Sequence, residues 1–555
     1  MDDSDPTCNY AFQTLTALKT QPKKTVLVVG NEVTTAEEIH RRVSNVANLL
    51  KWSGIAAGDR VLVTMLPSAD LYASILAVFA VGGTIVIPNA GQGLAMSDAC
   101  IGAAKPVIWL WKEGSRYNYM KYIMRSLNSI PHKLPIGDMS SPTELLEPLG
   151  VVPTRYALIT FTTGTTGVPK LIMREHRFLL CQTKSLSLFY EMAVKREIGL
   201  DESEAVVCTN LAVFPLHFLT VGATTIFCSI KDCKPSKLLQ TLKAHKATAI
   251  SGSPAFVDKL AAHAEKTKSM LPVLYTGVGG APVYRSRTRA VSAVTPGRKM
   301  CLLYGCTEAE PISFIFAAEK MELEASCPRG HCVGRPVFDG TARVVKIGGE
   351  PPTEPVDIAK ELELPPGEIG EIIVSGWHVN TGQVDPKRLI TDQDASVWLK
   401  TEDGGYMDSE GRIWLMGRVK WRVERGGKTY WPTDVEQKVL DRCSLITFAV
   451  YISHNDQAWL FLEAPNGLPS TEKAGLVAFL SREGIPVDVM EVKKNIPKDH
   501  RHNSKPNVAA LFSTSRNDSP SQILQLFLRA NPMLAIVIVI LQILLIFLVA
   551  GFILL

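Results

Sequence analysis

The alternation of apolar and polar segments near the start of the chain predicts a layered α/β region. Apolar runs typical of strands lie at residues 26–29, 60–65 and 84–88. A helix is predicted after Thr35, because Thr35 and Glu38 have the spacing of a capping box and apolar residues recur at helical spacing as far as Leu50. A second helix is predicted over residues 69–81. This order of strands and helices predicts a doubly wound α/β fold.

A further apolar run, residues 156–161, leads into a loop rich in hydroxyl groups and glycines. The loop consists of Thr162, Thr163, Gly164, Thr165, Thr166, Gly167, Val168, Pro169 and Lys170. Glycines let the backbone approach a phosphate, hydroxyl and N–H groups donate hydrogen bonds to it, and a lysine adds positive charge. The spacing differs from that of the common P-loop, because Val168 and Pro169 precede the lysine. The pattern predicts a phosphate-binding loop, and the alternative is a polar turn between strands.

Composition narrows the class of protein. A chain of 555 residues exceeds one ordinary domain, and its net charge of +5 comes from scattered basic residues, so no nucleic-acid partner is predicted. Eleven cysteines, an odd number, fit a reducing compartment. Three cysteine pairs share one spacing, but a metal site would need tighter pairs and more nearby histidines than His331. The pairs are Cys228 and Cys233, Cys301 and Cys306, and Cys327 and Cys332.

The C-terminal segment is almost wholly apolar. Only Gln542 and Gly551 interrupt residues 533–555. As a helix this segment would span about 34 Å, enough to cross a bilayer. Residues 1–5 are mostly acidic and have no apolar core, so they do not match a secretory signal peptide. The sequence therefore predicts a single-pass tail anchor that leaves the catalytic domains in the cytosol, with the endoplasmic reticulum favoured as the membrane.

Eight further short motifs are found in the chain. They are GDRV at residues 58–61, GGAP at 279–282, YGCTE at 304–308, GRP at 334–336, KTED at 400–403, GRIWLMGR at 411–418, ERGGK at 424–428 and a basic run at 496–505. Together with the threonine and glycine loop, they resemble the adenylate-forming superfamily of acyl-CoA synthetases, peptide-synthetase adenylation domains and luciferases. The resemblance covers roughly residues 30–511, with the motifs in the family's order.

The resemblance implies a nucleotide site around the YGCTE motif. Tyr304 would offer its ring face to adenine, Thr307 would donate to the α-phosphate, and Glu308 would hold a Mg²⁺ ion bound to the phosphates. Gly280 would lie in a turn beside the adenine and the acyl pocket. The superfamily often carries an aromatic residue or histidine near the acyl pocket, where this chain has His217; the alternative is a histidine satisfied within the core.

The resemblance also assigns roles nearer the C-terminus. Asp403 would accept hydrogen bonds from the ribose hydroxyls, and Arg418 would contact the nucleotide. Lys420 would be the hinge between two domains. Lys505 would be the catalytic lysine, with Lys498 as its rival.

Three residues depart from the family's pattern. Glu402 stands where the family has the glycine of its TGD motif, which puts the local backbone geometry in question. Glu424 replaces a lysine in the glycine loop of the second half-reaction, and Ser504 replaces the glycine before the catalytic lysine.

The implied architecture has a large AMP-binding domain at residues 1–417 and a small mobile α+β domain at 418–512. A linker at 513–532 and the transmembrane tail at 533–555 would follow. The implied chemistry is ATP-dependent activation of a carboxylate through an acyl-adenylate. The first hypothesis is an acyl-CoA synthetase that acts on a lipophilic acid and uses ATP, Mg²⁺ and CoA.

Two alternatives stay open. Residues 304–312, with the basic run ending at Lys505, are similar to a branch that holds bacterial β-lactone synthetases of olefin biosynthesis, which close a ring without CoA. A membrane-tethered homologue that binds ligand but has lost catalysis is the other. Glu402 and Glu424 favour this inactive form, whereas the residues retained at the other motif positions argue against it. Those retained residues are Glu308, Asp403, Arg418 and Lys505.

Overall fold

The computed structural model describes residues 6–88, 93–113, 123–137, 139, 147–163, 169–327, 329–348, 351–382, 384–499 and 503–515. The chain divides into two compact units at the bond between Lys505 and Pro506. The described element of the second unit is the helix Val508–Ser515. All the described strands belong to the first unit.

The strands, in chain order, are β1 (Thr25–Val29), β2 (Glu32–Thr35), β3 (Arg60–Thr64), β4 (Thr84–Val86), β5 (Ile108–Lys112), β6 (His132–Ile136), β7 (Tyr156–Thr163), β8 (Pro169–Glu175), β9 (Val206–Thr209), β10 (Thr224–Phe227), β11 (Ala249–Gly252), β12 (Tyr275–Gly279), β13 (Met300–Cys306), β14 (Ala309–Phe316), β15 (His331–Pro336), β16 (Ala342–Val345), β17 (Gly370–Val374), β18 (Leu389–Thr391), β19 (Val397–Met407), β20 (Ile413–Arg418), β21 (Val423–Arg425), β22 (Lys428–Tyr430), β23 (Phe448–His454), β24 (Gln457–Glu463) and β25 (Val489–Lys493).

The α-helices are α1 (Tyr10–Thr20), α2 (Ala36–Trp52), α3 (Ala69–Ala80), α4 (Leu94–Ala104), α5 (Arg125–Asn128), α6 (His176–Phe189), α7 (Lys195–Ile198), α8 (Phe214–Thr220), α9 (Pro235–Ala244), α10 (Pro254–Lys266), α11 (Arg285–Val294), α12 (Ala317–Ser326), α13 (Ile358–Glu361), α14 (Pro432–Arg442), α15 (Ser470–Arg482) and α16 (Val508–Ser515).

The first sheet contains two of the predicted N-terminal strands, β3 and β4, whereas β1 lies in the larger sheet. Its order is β6, β5, β3, β4, β7 and β8, and every neighbouring pair is parallel except β7 with β8. Helix α2 begins at the predicted capping box: the Glu38 N–H donates to Thr35 Oγ1 at 3.3 Å, and the Thr35 N–H donates to Glu38 Oε2 at 2.7 Å. The apolar face of α2 is buried with α3 in one core. The structure therefore confirms the strands and helices predicted for this region.

A larger sheet carries the YGCTE motif. Fourteen of the described strands join it, in the order β16, β17, β19, β20, β15, β14, β13, β12, β11, β9, β10, β1 and β2, with β18 beside β19. The strands from β1 to β13 across the centre of this sheet are parallel, whereas β13 and β14 are antiparallel. Tyr304 thus lies on the strand at which the sheet changes direction, beside the carboxyl ends of the parallel strands.

Residues 423–493 form a separate α+β layer with its own core. The hairpin β21–β22 precedes helix α14, and β23, β24 and β25 form a three-stranded sheet that packs with α14 and α15. Val439, Tyr451 and Leu460 are fully buried in this core. The domain boundaries at 417/418 and 512/513 stay predictions.

The structure corrects the predicted transmembrane helix. No helix within the described ranges is long and apolar enough to cross a membrane. The most apolar of them, α3, has 12 residues, about 18 Å of helix, whereas a bilayer core is about 30 Å thick. The fold prediction is therefore wrong in adding a transmembrane helix, and so is the predicted localisation as a tail-anchored membrane protein. The predicted tail, 533–555, and most of the linker lie outside the described residues.

Candidate active site

Tyr304, Asp403 and Arg418 come together although they lie on the separate strands β13, β19 and β20. The Tyr304 hydroxyl donates to Asp403 Oδ2 at 2.9 Å. Arg418 lies opposite Asp403 in the β19–β20 ladder, and its Nε is 3.2 Å from Asp403 Oδ1. Burial raises the pKa of Tyr304 well above its usual value and Asp403 adds to this, so the phenol stays protonated and donates. The Asp403 carboxylate raises the pKa of Arg418.

The backbone conformation and packing next to Asp403 favour glycine at positions 402 and 404. Glu402 has φ 64°, in the left-handed region that favours glycine, which is the residue type of the family's motif at this position. A Cβ atom on Gly404 would lie 2.1 Å from the Trp431 ring, so this position requires glycine. Arg418 Nη1 also donates to the Thr401 carbonyl at 3.0 Å, which ties the segment to β20.

Glu308 is paired with an arginine that the sequence analysis missed. Thr307 and Glu308 form the turn between β13 and β14, and Glu308 Oε1 is 2.9 Å from Nη1 of Arg388. Arg388 ends the short 3-10 helix Pro386–Arg388, and two of its nitrogens donate to the Lys400 carbonyl at 3.1 and 3.0 Å. Burial alone would lower the pKa of Arg388, but the neighbouring carboxylates of Glu308 and Glu402 act in the opposite direction, and the pKa is raised. The only sequence signal was one arginine in a polar loop.

Both arginines therefore connect strand β19 to the YGCTE region. Arg388 joins Glu308 to the carbonyl of Lys400, and Arg418 joins Asp403 to the carbonyl of Thr401. The thiol of Cys306, in the same motif, is partly buried, and burial, with the neighbouring Glu308 carboxylate, raises its pKa to about 12. The site thus offers carboxylates, guanidinium groups and a phenol, whereas the thiol stays protonated.

The predicted phosphate loop connects β7 and β8. Thr162 pairs with Lys170 and Thr163 with Pro169 in the antiparallel ladder, so the strands deliver both ends of the loop to one place. For Thr162, Thr163 and Lys170 the structure describes the backbone. Gly164, Thr165, Thr166 and Gly167 lie outside the described residues, so the contacts of the loop stay predictions.

Gly280 follows β12 at the edge where the parallel strands end. Its φ is 90°, which a glycine adopts without strain. At the preceding residue, a Cβ on Gly279 would lie 3.0 Å from the Leu303 carbonyl oxygen, so β12 approaches β13 closely here. The turn therefore lies one strand away from Tyr304.

His217 forms a buried pair with Glu202. On α8, its Nε2 is 2.9 Å from Glu202 Oε1, and both side chains are almost fully buried. Its ring centroid is 5.2 Å from that of Phe218. The structure does not bring His217 into contact with Tyr304, and the acyl-pocket role stays a prediction.

The two rival lysines have different surroundings. Lys498 Nζ is 2.5 Å from Glu463 Oε2 and lies 4.9 Å from the centroid of the Phe448 ring. Lys505 is exposed, on a turn closed by Asp499, whose Oδ1 accepts from the N–H of Lys505 at 2.8 Å. Lys498 is thus held within the small α+β layer, and Lys505 is the more accessible ammonium group.

Ser504 connects the lysine turn to the large sheet region. Its Oγ accepts a hydrogen bond at 3.1 Å from the N–H of Ala255, in the first turn of α10, which follows β11. A serine therefore makes at this position a contact that the family's glycine lacks the atoms to make.

Lys420 lies in the three-residue 3-10 helix Val419–Trp421 that follows β20, and it is exposed. Helix α14, just beyond it, contacts the large sheet region. The Tyr284 hydroxyl donates to Glu436, and the Arg285 N–H donates to Gln437 Oε1 at 3.2 Å. The predicted hinge thus lies between two packed regions.

Comparisons with known proteins identify the family. A sequence model of the family described as "AMP-binding enzyme" matches residues 15–382. The chain belongs to this family of AMP-binding enzymes. The olefin β-lactone synthetase of Stenotrophomonas maltophilia is 24% identical over 413 residues, covering 69% of this chain and 72% of that protein. The feruloyl-CoA synthase of an Amycolatopsis species is 25% identical over 433 residues, covering 77% and 82%.

Solved structures share the fold. ATP-bound MatB from Rhodopseudomonas palustris matches with a TM-score of 0.73 at 22% identity, over 92% of this chain and 99% of that one. The resemblance to the adenylate-forming superfamily and the prediction of an AMP-forming ligase are confirmed. The protein is an adenylate-forming enzyme similar to acyl-CoA ligases, with β-lactone synthetases among its relatives. An inactive, membrane-tethered homologue has no support.

Proposed function

We propose that this AMP-binding enzyme activates a lipophilic carboxylic acid with ATP and transfers the acyl group to the thiol of CoA. A carboxylate oxygen attacks the α-phosphorus of ATP, and the bond from this phosphorus to the oxygen that bridges to the β-phosphorus breaks. Pyrophosphate departs, and the product that remains is an acyl-adenylate. The thiolate of CoA then attacks the acyl carbon and AMP departs. The observation that carries the proposal is the convergence of Tyr304, Asp403 and Arg418 on one site.

This group suits a nucleoside. The Asp403 carboxylate is held by two donors, so its orientation is fixed before a ligand arrives, and it can accept both ribose hydroxyls. We assign the ring face of Tyr304 to adenine and the guanidinium of Arg418 to the nucleotide. Gly280 and the hydroxyls of the loop between β7 and β8 complete this proposed site, with Thr307 as a donor to the α-phosphate.

Glu308 is the proposed ligand of Mg²⁺. The ion prefers oxygen ligands and is commonly bound through one or two carboxylates together with substrate phosphates. The side chain of Glu308 is 13% exposed. Its Oε1 is already ion-paired with the guanidinium of Arg388, which shows that this carboxylate can face a cation. When bound, Mg²⁺ would neutralise phosphate charge. Arg388 orients the carboxylate and adds a second positive charge.

Lys505 is the proposed catalytic lysine. The attacking carboxylate and the triphosphate are both anions, so an ammonium group between them lowers the cost of their approach. The Asp499 carboxylate closes the turn that presents Lys505, and Ser504 fixes that turn to α10. For the second step, we propose that residues beyond the hinge at Lys420 rotate and bring the β21–β22 turn to the adenylate.

The β21–β22 hairpin is built as an exposed turn. Gly426 and Gly427 have φ values of 59° and 72°, which suit a tight hairpin turn. Glu424, which replaces the family's lysine, is ion-paired with Arg422 at 2.8 Å, so its negative charge is partly neutralised. The residue therefore does not by itself exclude an anionic acceptor such as CoA.

The second candidate is β-lactone formation. It is favoured by the olefin β-lactone synthetase relative, and by the similarity of residues 304–312 to that branch. In this reaction the β-hydroxyl of a β-hydroxy acid attacks the acyl carbon of its own adenylate, and AMP leaves without CoA.

Product analysis separates the two candidates. The enzyme is incubated with ATP, Mg²⁺ and a long-chain β-hydroxy acid, with and without CoA, and the products are identified by mass spectrometry. We expect an acyl-CoA thioester that forms only when CoA is present. A lactone that forms equally well without CoA would replace the ligase proposal with the lactone synthetase.

A further inference from the structure

Two helices of the large sheet region take hydrogen-bond acceptors from elsewhere in the chain. The first N–H groups of a helix have no partner within the helix, and a side chain at the N-cap often accepts from one of them. At the start of α10, the Ser253 hydroxyl accepts a hydrogen bond from the Asn210 side chain at 3.1 Å. At the start of α11, the Tyr284 hydroxyl donates to Glu436. Both N-cap side chains are therefore engaged away from their own helix.

The acceptors come from residues beyond the hinge proposed at Lys420. The Ala255 N–H, in the first turn of α10, donates to Ser504 Oγ at 3.1 Å. The Arg285 N–H, the first of α11, donates to Gln437 Oε1 at 3.2 Å. Gln437 lies on α14 and is 3% exposed, and Ser504 is 4% exposed, so both acceptor side chains are shielded from water. Two helices on one side of the hinge are thus capped from the other side.

A third N–H group of the large sheet region has its acceptor on α14. The Gly330 N–H, just before β15, donates to Asp434 Oδ1 at 2.6 Å. Gln437 Nε2 also donates to Asp441 Oδ1 at 2.7 Å, and Asp441 Oδ2 faces Arg285 Nη1 at 3.4 Å. We call the three backbone N–H bonds across the hinge, at the starts of α10, α11 and β15, the cross-hinge caps.

The large sheet region holds its own side of these bonds in place. Arg285 Nε lies 3.5 Å from Oε2 of Glu324, a fully buried carboxylate. Glu324 is in turn ion-paired with Lys320 and accepts a hydrogen bond from the Cys332 N–H at 3.0 Å. If α14 moved away, the start of α11 would therefore keep its place and lose only its partners across the hinge.

The cap at Ala255 determines which edge of the sheet the lysine turn lies on. Helix α10 follows β11, and β11 is two strands away from β13, which carries Tyr304. Neighbouring strands lie about 4.8 Å apart, so two strands correspond to about 10 Å. These strands are parallel and end at one edge, and Ser504 directly precedes Lys505. The cap thus keeps the Lys505 turn at the edge that carries the proposed nucleotide site.

We propose that the cross-hinge caps form a latch that holds the small α+β layer and the Lys505 turn in the orientation for adenylate formation, with Gln437 and Ser504 as its positioning residues. This inference rests on the proposed function, because it assigns the orientation to the first of the two proposed half-reactions. Rotation about Lys420 exchanges each acceptor for water, so the three bonds open together. Their strength then controls how readily the second half-reaction begins.

Hydrogen–deuterium exchange of the full chain, measured by mass spectrometry of overlapping peptides, tests the latch directly. Gln437→Ala removes the acceptor of the Arg285 N–H, so faster exchange is expected at that group in any case. A latch predicts that exchange also becomes roughly 2- to 10-fold faster at Ala255 and Gly330, whose own acceptors are unchanged. Ser504→Gly is the reciprocal variant, with faster exchange expected at Arg285 and Gly330.

A matched control lies on the same helix. Lys438 is exposed, and its Nζ pairs with Glu483 at 2.8 Å within the small α+β layer, so Lys438→Ala alters α14 without removing a cross-hinge cap. This variant should leave deuterium exchange at the three capped N–H groups unchanged. Exchange that is faster only at the N–H whose acceptor was removed, in both latch variants, would overturn the proposal.

The two half-reactions test the positioning role separately. In Gln437→Ala and Ser504→Gly, the rate of acyl transfer from a presynthesised acyl-adenylate to CoA, divided by the rate of pyrophosphate exchange, should rise by roughly 2- to 10-fold. A purely structural role would lower both rates together, so an unchanged ratio would overturn the positioning role. Deuterium exchange does not depend on catalysis. Coupled deuterium exchange in a protein that forms no thioester would support the latch and contradict the proposed CoA ligase.

Discussion

The hydroxyl of Tyr304 lies 2.9 Å from Oδ2 of Asp403, across a separation of 99 positions in the sequence. Arg418 holds the other oxygen of the same carboxylate at 3.2 Å. The carboxylate is therefore oriented by two groups before a nucleotide binds, which lowers the cost of ordering the site. This preorganised carboxylate is the basis of the proposed ATP site.

Replacing Asp403 with asparagine should weaken ATP binding. The change removes the charged acceptor proposed for the ribose hydroxyls, and a hydrogen bond to a charged group contributes about 1.5–3 kcal/mol. The KM for ATP should therefore rise roughly 10- to 100-fold in steady-state kinetics. Tyr304→Phe is the control: it keeps the ring and should change the KM for ATP only a few-fold. An unchanged KM in Asp403→Asn would remove Asp403 from the nucleotide site.

Glu308 should control the response to Mg²⁺. Glu308→Gln removes the proposed ligand charge and the partner of Arg388, so pyrophosphate exchange should slow by about 10²- to 10³-fold. The Mg²⁺ concentration for half-maximal exchange should rise as well. Asp394→Asn, which alters an exposed carboxylate just before β19, should leave both values unchanged. The same Mg²⁺ dependence in Glu308→Gln and the wild type would exclude Glu308 as a metal ligand.

Replacing Lys505 should impair catalysis, whereas replacing Lys498 should impair stability. Lys505→Ala removes the proposed catalytic charge and should slow pyrophosphate exchange by about 10²- to 10³-fold, while turnover of a presynthesised acyl-adenylate survives. Lys498→Ala breaks the pair with Glu463 and should lower the thermal unfolding midpoint while exchange is retained. Slow exchange in Lys498→Ala together with normal exchange in Lys505→Ala would reverse the assignment of the catalytic lysine.

The contribution of Glu436 to the free energy of unfolding should decrease as the pH rises. The residue lies on α14, where burial raises its pKa from 4.5 to about 7, although hydrogen bonds from Tyr284 and the Tyr451 N–H work in the opposite direction. Between pH 4.5 and about 7 the folded protein binds more protons here than the unfolded chain does. The contribution of Glu436 to the free energy of unfolding is therefore full below pH 4.5, is lost as pH rises through about 7, and does not return above it.

The Glu436→Gln variant isolates this contribution. Glutamine keeps an oxygen acceptor for Tyr284 but does not titrate, so the difference in urea midpoint between pH 5 and pH 7.5 should become smaller than in the wild type. Glu472→Gln, at an exposed position of α15, should leave that difference unchanged. An equal pH response in Glu436→Gln and the wild type would show that Glu436 does not titrate in this window.

The N-terminal fold could be predicted because local signals and packing agree there. Thr35 and Glu38 start α2 as their spacing requires, and the apolar runs become strands, β3 and β4 in the first sheet and β1 in the larger one. The transmembrane prediction rested on hydropathy alone, and no described helix fulfils it. Hydropathy measures how apolar a segment is, but gives no information about where the segment packs.

The candidate site was predictable in its residue types but not in its pairing. Motif chemistry pointed to Tyr304, Asp403 and Arg418, whose contact depends on how three strands come together. Arg388 carried no motif, because its role comes from the short helix that places its guanidinium between Glu308 and the carbonyl of Lys400.

The central claim is that the enzyme joins a carboxylate to AMP, and ATP–pyrophosphate exchange measures this step directly. Labelled pyrophosphate is supplied with ATP, Mg²⁺ and one acid at a time from a panel of fatty, β-hydroxy and aromatic acids. The account predicts that label enters ATP only in the presence of particular acids, and that Lys505→Ala suppresses it. Two results would contradict the account. Label could enter ATP at the same rate without any acid, or no label could enter ATP with any of the acids tested.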